Sequence, residues 1–281
     1  MTAPRKLTGK VALRQRIRNF AQQKGLSEGF VETLLAHYVV FKIIQDSQVE
    51  GWLKLRARGG FQVAMRTTFE NSRFTKDLDL LGILPSEDQL RNLEGLTAGI
   101  FEIRKVKVGR QPKPEGVPDT YRIMRLGVQV FVNGSEWRTV RLELGADELE
   151  MYELTEQISP SAEILELLDL AEITTSSLAS FLSIEYQIAQ KLHGVTEPDS
   201  DRGHDLYDIW LLMHLRSIDA SVLKDLIFRT FAFRKTHPWN GEISATGKLE
   251  ENYLESVKDI PTAPDFNEAL RFVNQQLVTL I

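Results

Sequence analysis

The apolar residues of this chain change period twice, and those changes constrain its fold class more than any single motif. Residues 10–24 and 27–48 carry helical spacing, the second segment with Phe30, Leu34, Phe41 and Ile44 on one stripe and Ser27 as its N-cap. The spacing then shortens towards two. From "LKLRARGGFQVAMR" through "FTKDLDLLG", "FEIRKVKVG", "YRIMRLGVQVFV" and "WRTVRLELG" the chain runs in short alternating segments bounded by Gly, Pro and Asn, as a sheet requires. Within the first of these, "FQVAMR" reads as a helix following a Gly-Gly turn, and "RQPKPEGVPDT" between two others reads as a loop. After Pro160 helical spacing returns in "LASFLSIEYQIAQKLHGV", "RGHDLYDIWLLMHL", "SVLKDLIFRTFAFR" and "FNEALRFVNQQLVTL". The expected architecture is α/β (α+β): N-terminal helices and a mixed-sheet core over residues 1–160, then an α-helical domain over residues 161–281.

With 281 residues, 42% apolar and 26% charged, the chain can bury one large core or two smaller ones. No apolar run approaches the roughly 18 residues that span a bilayer, and no apolar h-region follows the basic N-terminus, so a cytoplasmic protein without a membrane partner is expected. The absence of cysteine rules out thiolate catalysis and Cys-based zinc sites, leaving oxygen or histidine for any metal. A net charge of −5 argues against binding nucleic acid through bulk charge. The charge is unevenly placed, however. Residues 1–27 hold Arg5, Lys6, Lys10, Arg14, Arg16, Arg18 and Lys24 without an acid, and residues 104–113 hold Arg104, Lys105, Lys107, Arg110 and Lys113 without one. Residues 142–172 hold acids without a Lys or Arg. Such runs are either solvated faces or a basic surface for a polyanion beside an acidic strip.

The stretch "RFTKDLDLLG" places carboxylates inside an apolar strand. Side chains alternate along a strand, so Asp77 and Asp79 share one face, about 7 Å apart, while Leu78 and Leu80 enter the core. Either they are two solvated acids on an exposed strand face, or a divalent cation relieves their repulsion, for which oxygen-only ligands suit Mg²⁺ or Mn²⁺. Upstream, Gly59 and Gly60 let backbone N–H groups and a helix N-terminus face a phosphate. Downstream, Glu143 interrupts the strand "VRLELG" between Leu142 and Leu144. Three carboxylates on neighbouring strands after a Gly-Gly turn form the arrangement that two-metal nucleotidyl transfer uses. In the helical half, Lys191 falls on a stripe with Phe181, Ile184 and Ile188, and Asp205 shares a face with Ile209 and Leu212. Each is a charge where core is expected. The two either pair with each other or serve a triphosphate and its acceptor.

The motifs "GGF…SRFTKDLDL", "VRLEL" and "YQIAQKLHGV…DRGHDLYDIWLL", in this order, resemble the AbiEii-type nucleotidyltransferase toxins, particularly their MenT-like branch, over most of the chain as far as "THPW" at Thr236–Trp239. The resemblance implies a DNA polymerase β-like nucleotidyltransferase core joined to a helical domain, acting as the toxin of a toxin–antitoxin pair. It also implies transfer of nucleotides from NTP to the 3′ end of tRNA, which blocks aminoacylation and translation, and a cognate antitoxin protein as partner. Carried over by motif, Asp77 and Asp79 bind metal with Glu143 as third carboxylate, and Lys191 and Asp205 complete the catalytic set. Gly59, Gly60, Arg73 and Lys191 are the nucleotide-binding candidates. Thr75 stands where relatives have Ser or Thr and is a candidate for regulatory phosphorylation. Phe61 departs from the pattern, since relatives follow Gly-Gly with a hydroxyl residue. Other acceptors fit the same chemistry, namely a small molecule or a protein hydroxyl, and a non-catalytic antitoxin-binding relative is the reading from another class.

The remaining functional residue types point to structure. His37, His193, His204, His214 and His237 show no zinc-site pairing, and Trp52, Trp137, Trp210 and Trp239 read as core or loop anchors. Neither Gly-x-Ser-x-Gly nor a Walker-type loop is present, which leaves acyl-transfer and P-loop mechanisms without footing.

Overall fold

A computed structural model describes residues 6–47, 55–83, 90–109, 123–150, 153–173, 179–215 and 217–281. The loop at 110–120, with Arg110 and Lys113, and also Arg5 and Trp52, lie outside the described residues. In chain order the elements are α1 (Lys10–Lys24), α2 (Glu28–Asp46), β1 (Arg56–Arg58), α3 (Gly59–Arg66), β2 (Asp77–Gly82), β3 (Thr97–Ala98), β4 (Phe101–Gly109), β5 (Ile123–Val132) and β6 (Ser135–Ala146). They continue with β7 (Thr155–Ile158), α4 (Ala162–Leu170), β8 (Ala179–Leu182), α5 (Ile184–Val195), α6 (Gly203–Leu215), α7 (Ala220–Arg234), α8 (Gly247–Val257) and α9 (Phe266–Leu280). The chain divides into two compact units that interleave along the sequence. One comprises residues 1–57, 75–147 and 159–179, and the other residues 58–74, 148–158 and 180–281.

In the first unit the strands run in the order β3-β4-β5-β6-β2-β1. Strand β2 is parallel to β6, whereas β3–β4, β4–β5 and β5–β6 are antiparallel, so the sheet is mixed. The β5–β6 hairpin turns at Asn133 and Gly134, both with positive φ (44° and 81°), the backbone that a tight twisted hairpin needs and that Asn-Gly supplies at low cost. One sheet face is apolar: Leu78 and Leu80, Leu126, Val128 and Val130, and Leu142 and Leu144 are all buried. Helices α1 and α2 pack on β6 and bring Leu13, Ile17, Val31, Leu35 and Val39 to the core. Ser27 caps α2 as expected, its hydroxyl accepting the N–H of Phe30 at 3.2 Å. Trp137 is buried against Phe101 and donates to Glu32 at 2.8 Å, an anchor rather than a stacking platform.

The uneven charge has a local explanation in this unit. Lys24 pairs with Glu166 at 2.6 Å, Arg16 with Glu172 at 3.1 Å and Arg18 with Glu28 at 2.9 Å. The basic N-terminal run and the end of the acidic strip therefore meet each other.

The second unit is helical around buried Tyr186, Tyr207 and Tyr253. Helix α5 packs on α6 and α7, and α6 on α8 and α9. Contact between α6 and α8 requires Gly203, where a Cβ would lie 2.2 Å from the backbone nitrogen of Tyr253. Two helices, α4 and α8, add to those that spacing suggested after Pro160. A correction concerns "LASFLSIEYQIAQKLHGV": its first residues form β8, and the helix begins at Ile184. Ser183 decides the boundary, because its hydroxyl accepts the N–H of Tyr186 at 3.2 Å and caps a helix that cannot then extend backwards. Phe181 is buried on the strand and does not belong to the Lys191 stripe.

Candidate active site

The first unit's site follows from strand register. Asp79 lies directly opposite Glu143 on the parallel pair β2–β6, and Asp77 lies opposite Arg141. All three carboxylates occupy the face away from buried Leu78, Leu80, Leu142 and Leu144, and all are half-buried. Parallel pairing places Asp79 and Glu143 one strand spacing apart, about 4.8 Å between backbones. Arginines meet two of these acids: Arg141 Nε lies 2.9 Å from Asp77 Oδ1, and Arg125, opposite Glu143 on β5, pairs with Glu143. Both guanidiniums are more than half exposed, at 62% and 55%, so these pairs are weak and can exchange for other partners. Three carboxylates converging on one solvent-accessible patch, without sulfur or imidazole, fit a hard cation such as Mg²⁺ or Mn²⁺.

The second unit holds a charge cluster of the opposite kind. Lys191 Nζ lies 2.6 Å from Asp205 Oδ1 and 2.6 Å from Asp208 Oδ2. Arg73 grips Asp208 with two parallel bonds, Nε to Oδ1 at 2.8 Å and Nη2 to Oδ2 at 2.7 Å, and Arg202 Nε reaches Asp205 Oδ2 at 2.6 Å. Lys191, Asp205 and Asp208 are all at least 95% buried. Burial alone would raise both aspartates; the charge of Lys191, with Arg202 beside Asp205 and Arg73 beside Asp208, outweighs it and holds both carboxyls below the usual carboxylate range. Lys191 and Asp205 therefore pair directly, as one reading of the sequence allowed, and Asp208 joins them as a third member that the sequence reading missed. Asp208 had a signal: it lies three residues after Asp205 on α6, on the same side of the helix.

A family model described as nucleotidyl transferase AbiEii toxin of a type IV toxin–antitoxin system matches residues 58–277. The chain belongs to the AbiEii nucleotidyltransferase toxin family. Among solved structures it is similar to MenT4, a nucleotidyltransferase toxin from Mycobacterium tuberculosis H37Rv, at 15% identity and TM-score 0.50, over 98% of this chain and 99% of that one. It also matches the Megavirus polyadenylate synthase at 11% identity and TM-score 0.35, over 92% of this chain and 46% of that one. No curated protein matches. The family and its mixed α/β fold are thus those the motifs suggested.

In this AbiEii-family chain, Gly59 and Gly60 open α3, with Gly59 at φ 67° and its carbonyl accepting from Gln187 at 3.0 Å. Phe61, where the resemblance leads to the expectation of a hydroxyl residue, is fully buried and faces Phe181 at 6.3 Å between ring centroids, so it fills the core. Thr75 is half-buried and its hydroxyl donates to the backbone carbonyl of Asp77 at 3.2 Å.

His193, Glu197 and His237 come within metal-holding distance, a grouping that sequence spacing did not reveal. A hydrogen-bond chain already uses both ring nitrogens of each histidine. Arg234 Nη1 donates to His193 Nδ1 at 3.3 Å, and His193 Nε2 meets Thr236 Oγ1 at 3.0 Å. Thr236 Oγ1 meets His237 Nδ1 at 3.0 Å, His237 Nε2 meets Thr196 Oγ1 at 2.9 Å, and Thr196 ends the chain on the Leu192 carbonyl at 2.7 Å. One tautomer for each ring satisfies every step, and an adjacent guanidinium opposes a cation, so this is a structural network. Burial, then the charge of Arg234, pushes His193 down to about 3 and keeps it neutral. The "THPW" segment is held by this network.

Proposed function

We propose that the chain is the catalytic toxin of its toxin–antitoxin pair, a Mg²⁺-dependent nucleotidyltransferase that adds nucleotides from NTP to the 3′ end of tRNA and so blocks aminoacylation and translation. The observation that carries this reading is the register of β2 and β6, which sets Asp79 opposite Glu143 with Asp77 on the same face. Asp77, Asp79 and Glu143 are the residues to hold Mg²⁺ (or Mn²⁺), which when bound supplies charge neutralisation at the phosphates and acidifies the attacking hydroxyl. The hydroxyl attacks the α-phosphorus and gives up its proton to solvent, the bond from that phosphorus to the bridging oxygen breaks, and pyrophosphate leaves. In the second unit Gly59, Gly60, Arg73 and Lys191 are assigned to the nucleotide. Lys191 spends two of its three protons on Asp205 and Asp208, which hold it in one orientation with a third for a phosphate. Asp205 is thereby a positioning residue rather than a general base, being ionised and doubly paired. Thr75 is assigned to regulatory phosphorylation, because a dianion two residues from Asp77 competes for the same cation. The protein works in the cytoplasm, where NTP and tRNA meet, under the control of a cognate antitoxin.

The test is incubation with total tRNA, Mg²⁺ and each labelled NTP in turn, beside Asp77→Ala. Label entering the 3′ end with wild type and not with the variant is expected. No label in RNA with any nucleotide sinks the tRNA acceptor, and equal labelling by the variant sinks the metal assignment. Growth arrest on expression, relieved in the variant, tests toxicity separately.

A further inference from the structure

The carboxylate face of the first unit's sheet carries a second feature that the mechanism above leaves unused. Following the register outward from Asp77, the cross-strand neighbours are Arg141 on β6, Gly127 on β5 and Lys107 on β4. The adjacent row runs from Asp79 through Glu143 to Arg125, and the next holds Thr139, Gln129 and Lys105. Alternation places all of these side chains on one face, opposite to buried Val128 and Leu126. Lys105, Lys107, Arg125 and Arg141 are exposed, and among the described residues no ion pair is recorded for either lysine. The basic N-terminal run, by contrast, has Arg16, Arg18 and Lys24 on acids of the same unit. A basic lane thus starts at the acids and extends across three strands.

We propose that this lane binds the phosphate backbone of a polynucleotide acceptor and leads its 3′ end to Asp77, Asp79 and Glu143. The inference rests on the proposed transfer to tRNA and adds the residues that hold that acceptor. From Asp77 to Lys107 is three strand spacings, roughly 14 Å, longer than one nucleotide and within reach of a short run of linked phosphates. An acceptor small enough to sit wholly at the acids leaves Lys105 and Lys107 beyond its reach. Gly127 keeps the middle of the lane shallow. A Cβ there would meet Thr139 Cγ2 at 3.6 Å and Lys107 Cβ at 3.9 Å, which is ordinary contact, so a side chain fits at the cost of filling the lane.

The experiment is binding of fluorescent deacylated tRNA to the full chain over a range of salt, with Lys105→Ala/Lys107→Ala, Lys105→Arg/Lys107→Arg and Gly127→Glu beside wild type. Two lost phosphate contacts should reduce the slope of log K against log salt by about 1.4 to 1.8 and weaken binding more than about tenfold at physiological salt. The arginine pair should retain the wild-type slope, and Gly127→Glu should weaken binding while melting like wild type. An unchanged slope in the alanine pair overturns the lane and leaves tRNA transfer standing. Equal weakening towards a polyglutamate probe overturns the RNA assignment in favour of an acidic protein partner. If wild type neither binds RNA nor labels it, lane and acceptor fall together.

Discussion

Two charge clusters, one in each unit, use the same residue types to opposite ends. On the sheet, Asp77 and Glu143 meet arginines that are more than half exposed. In the helical unit, Asp205 and Asp208 are buried with Lys191, with Arg73 and the more exposed Arg202 closing over them, and every carboxylate oxygen is bonded. The difference is solvent. An exposed pair gives up its partner for a fraction of a kcal/mol, so the sheet acids remain available to a cation. A buried pair cannot, because each charge released would stand alone in a poorly polarisable interior. The sheet cluster is built for exchange and the helical cluster for rigidity.

The sharpest way to break that contrast is to change one acid in each. Asp79→Asn should reduce nucleotide transfer by more than about a thousandfold, some 4 kcal/mol of transition-state stabilisation, while moving unfolding free energy by less than about 1 kcal/mol. A large stability loss there would mean that the sheet acids are structural. Asp208→Ala should cost about 3 to 5 kcal/mol in urea unfolding, since it removes one of the two carboxylates that hold buried Lys191 and both acceptors of the Arg73 fork. If it melts like wild type, the cluster is wetter than its burial says.

A smaller effect sharpens the comparison through pH. His193, held near 3 against an ordinary 6.5, stays neutral in the fold while the unfolded chain takes up a proton below 6.5. Its contribution is therefore present above about pH 6.5 and is lost as pH falls towards 3, at up to about 1.4 kcal/mol per pH unit. His37, pushed down to about 4 by burial first and Arg138 second, titrates in the same direction. Urea midpoints measured between pH 6.5 and 4 should fall for wild type, and His193→Asn should flatten that slope. An unchanged slope would remove His193 from the account.

Much of the site was legible because its spacing is local. Asp77 and Asp79 share a face in any strand, and Leu78 and Leu80 announce that the strand is half-buried. Ser27 and the stripe of α2 were equally plain. The boundary at Ser183 was not, because "LASFL" carries apolar spacing compatible with either period and only the cap and the partner strand choose. Asp208 escaped because a second acid one turn after Asp205 has meaning only once Arg73, 135 residues away, is folded against it.

What the amino-acid sequence determined by itself was the period of each segment, the face on which each carboxylate lies and the absence of sulfur chemistry, all set by backbone geometry and residue type within a few positions. Tertiary structure alone decided that Glu143 sits opposite Asp79, that Lys191 is shared by two aspartates, and that the histidines form a satisfied chain rather than a metal site. Those outcomes depend on strand register and helix packing between distant segments, where the cost of burying charge or leaving a donor unpaired selects one arrangement among many that the local pattern permits.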